Sequence, residues 1–332
     1  MIEYDGDDSI MLNSLPSFHI AGAGFGIMTF AHGGTSVMMP DFDPAKVLDA
    51  IEQHRITHCF LVPAMIQFAL QVPGADRRDY SSLRSISYGA SPISERVLVD
   101  ALKTFRCKFM QVYGLTETTG AISVLPPEDH VTEGPRAALL RSAGKAMPGV
   151  EIGVFDPASG ERLPDEQVGE IWIRSAQNMK GYWRNPKATA EAFRDLDADG
   201  IGWFRSGDAG YMRGEYVFMH DRLKDMIVSG GENIYPAEVE NTLMKHPAVA
   251  DGAIIGVPDD TWGEAVKAIV VLKPGVEATG ADIIAFMRER IAHYKCPRSV
   301  DIVEAIPRNP SGKILKRVLR EPYWKGRDRN VA

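Results

Sequence analysis

The sequence predicts an α/β fold: a large domain built on a parallel sheet, a β-rich subdomain attached to it, and a small α+β domain at the end. Strand-like and helical patterns alternate in the first part of the chain. Short strand-like runs between Gly and Pro turns take over from about residue 140, and helices and strands mix again beyond about residue 221. Strands that alternate with helices pair in parallel and are covered on their faces.

Taken in order, residues 45–54 place Val47, Leu48 and Ile51 on one helical face. The apolar run Cys59-Phe60-Leu61-Val62, stopped by Pro63, suits a buried strand, and Ser85-Ile86-Ser87-Tyr88 predicts another. Residues 95–105 read as a helix with Val97, Leu98, Ala101, Leu102 and Phe105 apolar, and residues 108–112 as the next strand. Later strands are expected at 150–155, 170–174 and 215–219. Pro236 opens a helix expected to reach about His246 with Val239 and Leu243 inward, because proline suits a first helical turn. Residues 266–272 are strand-like, and Ile283, Ile284, Met287 and Ile291 form the apolar stripe of a further helix.

At 332 residues the chain can hold two domains, or one large domain with an appendage. Hydrophobic residues at 45% and charged residues at 24% are ordinary for a globular protein and argue against disorder. A net charge of −7 with no long basic block argues against nucleic acid as the main partner. The three cysteines, Cys59, Cys107 and Cys296, are too scattered for a disulfide framework or a metal knuckle, and a reducing compartment follows. The acidic start lacks the pattern of a signal peptide, and no apolar run is long enough to span a bilayer. The expectation is a cytoplasmic protein.

Residues 113–120 read YGLTETTG and follow the strand at 108–112. Hydroxyls can bond a phosphate, and a carboxylate can hold the hard Mg²⁺ that accompanies it. Ligands of open α/β sheets sit just past such carboxyl ends. Ser206-Gly207-Asp208 could accept the two hydroxyls of a ribose, although Gly-Asp is equally an ordinary turn. Residues 221–225, DRLKD, read as a charged linker, and the glycines of Ser229-Gly230-Gly231-Glu232 allow close approach to a ligand or simply make a turn. Lys313 lies on a tight turn before a basic helix, where it is a mobile point charge or an ordinary surface lysine.

In series, YGLTETTG, SGD, DRLKDMIVSGGENIYPAEVE and PSGKILKR resemble the AMP-forming acyl-CoA synthetases (fatty-acid–CoA ligases) of the adenylate-forming superfamily, which also contains beetle luciferases and the adenylation domains of peptide synthetases. The resemblance runs from about Leu12 to Arg320. It implies that Thr116 contacts the α-phosphate and Glu117 holds Mg²⁺. It implies that Tyr113 and Gly114, with the backbone of Gly89, Ala90 and Ser91, close around the adenine, while Asp208 and Arg222 take the ribose. Lys313 would bridge carboxylate and phosphate during adenylation, Lys224 would be the hinge, and Gly230 and Gly231 would line the coenzyme A channel. The implied domains are 1–140 for the remainder of the large domain, 141–220 for its β-rich subdomain and 221–332 for a mobile C-terminal domain hinged near 221–225.

The implied reaction joins a carboxylic acid to ATP, giving acyl-AMP and pyrophosphate, and then transfers the acyl group to coenzyme A. His19 stands where amino-acid-activating relatives carry an aspartate, which favours a fatty or aromatic acid and counts His19 among the catalytic candidates. Gly22, Gly24 and Gly26 are expected to leave space for an apolar chain. The family's phosphate loop ending in Pro-Lys-Gly is not found ahead of His19. The large domain is therefore expected to be incomplete, leaving exposed apolar surface. Three readings stay open: a fragment of an acyl-CoA ligase, a non-catalytic binder of adenylate or acyl-CoA, and an interaction partner of a separate N-terminal half. Self-association into a homo-oligomer also stays open.

Overall fold

The computed structural model describes residues 8–91 and 93–326. In chain order the first elements are β1 (Ile10–Asn13), α1 (Ile20–Ala31), β2 (Thr35–Met38), α2 (Pro44–Gln53), β3 (His58–Leu61), α3 (Pro63–Leu70), β4 (Ser85–Gly89), α4 (Glu95–Phe105) and β5 (Lys108–Leu115). Then come β6 (Gly120–Leu125), β7 (Ser142–Ala146), β8 (Val150–Phe155), β9 (Gly169–Ser175), α5 (Pro186–Ala192), β10 (Phe193–Arg194), β11 (Trp203–Arg213) and β12 (Tyr216–Arg222). The rest are β13 (Ile227–Ser229), β14 (Glu232–Ile234), α6 (Pro236–Leu243), β15 (Val249–Asp259), β16 (Gly263–Leu272), α7 (Gly280–Arg288), β17 (Ser299–Ile302) and α8 (Lys316–Trp324).

One sheet runs β2-β1-β3-β4-β5-β6-β7-β12-β11-β9-β8, with β10 on β11. Its first five strands pair in parallel and carry helical crossovers, whereas β5–β6, β6–β7, β7–β12 and β8–β9 are antiparallel. The β-rich run is thus hydrogen-bonded into the same sheet as the α/β run. The parallel strands read as continuous apolar runs because both faces are covered: all four residues of β3 are buried. Val47, Leu48 and Ile51 of α2 and Val97, Leu98, Ala101 and Phe105 of α4 fill that core with Ile86 and Phe109. Local signals set the helix starts, with Asp43 accepting from the N–H groups of Ala45 and Lys46 and Ser94 accepting from that of Val97.

A second sheet, β14-β13-β16-β15 with β17 on β16, has its own core of Ile227, Val239, Leu243, Ile254, Val266, Ile283 and Met287. The helix opened by Pro236 ends at Leu243, short of the expected His246. Ile291 lies past the end of α7, its N–H bonded to the Met287 carbonyl. Contacts divide the chain into two compact units: the second gathers Gly207–Ala209, His220–Asn309 and the chain from Lys313 onward, and the first holds the remainder.

In the first unit, α1 buries only Gly22, Gly26 and Thr29, while Ile27, Met28 and Phe30 are exposed, as are Phe18 and Met38 beside it. No Asp, Glu, Lys or Arg occurs between Ser9 and Pro40, so this exposed face is apolar and carries no carboxylate, lysine or arginine. The space expected at Gly22 is filled, because a Cβ there would lie 2.3 Å from the Pro16 carbonyl oxygen; Gly24 does face open space. Among the described residues no helix is long and apolar enough to cross a membrane, and all three cysteines are free thiols.

Candidate active site

In the first unit, β5 ends in a single 3-10 turn over Thr116–Thr118. Thr118 is buried and ties the turn together, its hydroxyl donating to the Gly120 carbonyl and accepting from the Leu115 N–H. Thr116 is left exposed and Glu117 half-buried. The segment after β9 clasps this turn. The Met179 N–H donates to the Glu117 carbonyl at 2.7 Å, and the Tyr182 hydroxyl donates to Glu117 Oε1 at 3.1 Å. Gln177 Nε2 donates to the carbonyls of Thr118 and Ala121, and the Thr119 hydroxyl donates to the Gln177 carbonyl.

Beside it, β4 runs parallel to β5 with Gly89 opposite Val112. The next residue, Ala90, has φ of +68°, a left-handed backbone that costs an alanine free energy. Below this turn, Tyr88 is fully buried and its hydroxyl lies 3.0 Å from His130 Nε2. His130 Nδ1 faces the Pro126 carbonyl at 2.9 Å, so Nδ1 carries the proton and Nε2 accepts from Tyr88. Burial lowers the pKa of His130 below 6.5, outweighing the Pro126 bond and the nearby Asp129 and Glu128. The folded pKa lies below the unfolded one, so this contribution is complete above pH 6.5 and is lost as pH falls through the folded pKa. Urea melts between pH 7.5 and 5 are expected to show stability falling on the acid side, by at most about 1.4 kcal/mol per pH unit for this proton. His130→Gln should flatten that slope; an unchanged slope would remove His130 from the account.

In the second unit, Asp208 on β11 is buried and paired with Arg222 at the end of β12, Nε to Oδ1 being 3.0 Å. Lys313 is half-buried in a turn closed by two bonds, its N–H donating to Asn309 Oδ1 and its carbonyl accepting from the Asn309 N–H, both at 2.9 Å. Burial lowers the pKa of Lys313 and Arg222 adds to this, while Asp208, Asp221 and Asp225 oppose it. A cation held this way gains from an anionic ligand. Lys224 is exposed in a 3-10 turn over Leu223–Asp225.

Gly230 and Gly231, with φ of +62° and +85°, form the two-residue turn between β13 and β14, a conformation that glycine alone adopts without strain at both positions. A Cβ on Gly230 would also strike the Trp262 ring, so a structural role accounts for this residue. His19 belongs to the first unit, where Nδ1 accepts from the Ala21 N–H and caps α1; burial lowers its pKa.

The structure therefore gathers Tyr113, Gly114, Thr116, Glu117 and Gly89 to Ser91 at adjoining ends of β4 and β5, and brings Asp208, Arg222 and Lys313 into one charged neighbourhood of the second unit. Sequence reasoning missed Tyr182 and Gln177, whose only signal was the polar run Gln177-Asn178 followed by Gly181-Tyr182-Trp183. It also missed Lys316, one turn past Lys313, which is held between Asp221 and Glu240.

Residues 1–183 match the model of the AMP-binding enzyme family, and residues 238–313 match that of the AMP-binding enzyme C-terminal domain. The chain belongs to the AMP-binding enzyme family. Within it, the chain is similar to acid–thiol ligases. It is 42% identical, over 97% of its length, to a fatty acid–[acyl-carrier-protein] ligase, ScoC, from Streptomyces coeruleorubidus, of which it covers 60%. It is 41% identical, over 97% of its length, to a feruloyl-CoA synthase from an Amycolatopsis species, of which it covers 64%. Among solved structures it resembles the o-succinylbenzoate coenzyme A synthetase MenE of Bacillus subtilis in complex with ATP and magnesium ion, with TM-score 0.80 and 31% identity over 95% of this chain and 62% of that one. The chain thus spans about three fifths of the length of these relatives.

For a member of the AMP-binding enzyme family, the donor set can be tested against magnesium. No cluster of three or more His, Cys, Asp or Glu able to hold a metal occurs among the described residues. Mg²⁺ usually takes one or two carboxylates together with substrate phosphates rather than an all-protein cage. A half-buried Glu117 beside the exposed hydroxyl of Thr116 fits that mode. The Tyr182 bond fixes one of its oxygens. Tyr182→Phe is expected to weaken Mg²⁺-dependent nucleotide binding by about tenfold, the lower end for loss of a partner behind a metal ligand. Titration calorimetry with and without Mg²⁺ checks this, and an unchanged Mg²⁺ dependence would remove Tyr182 from that role.

Proposed function

We propose that this chain carries the adenylate and lysine elements of an ATP-dependent acyl-CoA ligase that converts a carboxylic acid to acyl-AMP and then to a coenzyme A thioester. The observation that carries the reading is the charged neighbourhood of the second unit: a buried Asp208 paired with a partly exposed Arg222, with Lys313 in a hydrogen-bonded turn whose electrostatic neighbours they are.

The chemistry follows from charge. A carboxylate is a poor acyl donor because its leaving group would be oxide. Converting it to acyl-AMP creates a competent leaving group, but first brings two anions together. Lys313 supplies a cation between carboxylate oxygen and α-phosphate, and fixed charges of this kind stabilise a transition state without reorganising. Asp208 accepts from the ribose hydroxyls, with Arg222 holding its carboxylate in place. Thr116 donates to the α-phosphate. Mg²⁺, held by Glu117, would offset phosphate charge. Thiol attack on the acyl-AMP needs different groups at the same carbon, which a small domain turning about residues 221–225 could deliver. Gly230 and Gly231 then border the pantetheine path.

The acyl group proposed is a fatty or aromatic acid. His19 supplies no carboxylate for an ammonium, and the named relatives act on fatty acids and ferulate. A panel of carboxylic acids tests this in acid-dependent ATP–pyrophosphate exchange, alongside calorimetry with a non-hydrolysable acyl-adenylate. Exchange with apolar acids supports the ligase. Binding without exchange would favour the adenylate-binding reading, and a folded chain that binds no adenylate would sink both.

A further inference from the structure

The helix that follows Lys313 is held in an unusual way. None of the residues of α8 is fully buried. Leu319 and Tyr323 pack on the core beside Ile255 and Ile269, but its fixed points are polar. Lys316 Nζ lies 3.0 Å from Asp221 Oδ2 and 3.0 Å from Glu240 Oε1, and its side chain is only 10% exposed. One turn on, Arg320 reaches Asp225 at 2.9 Å and the Lys224 carbonyl at 3.5 Å. Both carboxylates of the 221–225 segment are thereby tied to α8.

The partners of Lys316 are themselves anchored. Asp221 accepts from the N–H groups of Arg222 and Ala237, and Glu240 accepts from that of Ile254. Lys316, three residues past Lys313, thus joins the end of β12 to α6, which Glu240 in turn ties to β15. An ion pair this enclosed needs several compensating bonds, and a buried pair is more dependable as a register device than as a source of stability. Nothing in the reading of the reaction uses Lys316.

We propose that Lys316 is a positioning residue for Lys313: by seating the first turn of α8 between Asp221 and Glu240, it sets where the 309–313 turn holds the reacting ammonium. This rests on the adenylation role given to Lys313, but it is tested without substrate. Lys313 is surrounded by Arg222, Asp208, Asp221 and Asp225, so its acid–base behaviour reports its place among them.

The experiment measures the pH profile of Lys313 acetylation by acetic anhydride in the ligand-free chain, read by peptide mass spectrometry. Lys316→Met is expected to raise the midpoint, slowing modification on the acid side about tenfold for each pH unit that the midpoint moves. Lys316→Arg should keep the original midpoint. Charge loss alone could also raise it, so the double variant Lys316→Met with Asp221→Asn, which removes one charge of each sign, decides the matter. A raised midpoint in the double variant supports positioning; a return to the original midpoint overturns it. An unchanged midpoint in folded Lys316→Met also overturns it. If Lys316→Met does not fold, Glu240→Gln, which removes one of the two carboxylates, should raise the midpoint partway, and no rise would overturn the proposal. A failure here leaves the ligase reading intact. That reading fails separately, if an acyl-adenylate analogue does not protect Lys313 in the unsubstituted chain.

Discussion

Lys313→Ala is expected to slow adenylation by about 10²–10³-fold, the usual cost of removing one charge-stabilising group, while thioester formation from supplied acyl-AMP is spared. The asymmetry has a physical basis. Adenylation joins two anions, and only that step needs a cation between them. Thiol attack on acyl-AMP starts from a carbonyl that is already activated. Burial and Arg222 make the free ammonium of Lys313 costly, so it gains most where new negative charge appears. Acid-dependent ATP–pyrophosphate exchange measures the first step, and thiol release from synthetic acyl-AMP measures the second. Equal loss of both would contradict the role given to Lys313.

Gly114→Ala is expected to destabilise the first unit by about 3 kcal/mol, toward the upper end for overpacking, because nothing nearby can yield. A Cβ at this position would lie 1.9 Å from the Gly120 carbonyl oxygen and 2.9 Å from the Ala121 Cα, all backbone atoms. The approach is close because the β5–β6 ladder shifts register between Tyr113 and Gly114. Relief would push β6 outward and carry the Thr116–Thr118 turn with it. Urea unfolding measures the stability, and Mg²⁺-dependent nucleotide binding should weaken in the same variant. A stable protein with unchanged binding would show that the strands separate without cost.

The alternation of strands and helices was legible because helix and strand place side chains at different periods; β3 read as an apolar run stopped by Pro63, and β4 as an alternation of serine with Ile86 and Tyr88 ahead of a Gly turn. Asp208 and Arg222 were legible only as motif members. That they pair depends on two neighbouring strands, β11 and β12, bringing together residues fourteen positions apart. Gly230 was legible as part of a turn and Gly22 as open space, yet both turned out to be governed by close neighbours, Trp262 and the Pro16 carbonyl. His19 was read through its pocket position, and its visible bond is a helix cap.

Fold class, the places of several helices and strands, and the family could be read from the sequence, because these rest on periodicity, turn chemistry and short contiguous motifs. Tertiary structure alone decided which side chains answer to which. Tyr182 and Glu117 lie 65 positions apart, and Lys316 and Asp221 lie 95 apart. Neither pairing leaves a local trace: the Tyr182 hydroxyl meets Glu117 only once the segment after β9 lies against the Thr116–Thr118 turn, and Lys316 meets its carboxylates only once α8 is docked, where enclosure demands a partner for its charge. The YGLTETTG run pointed to the family; the clasp around Glu117 and the seating of Lys316 between Asp221 and Glu240 are what the fold added to it.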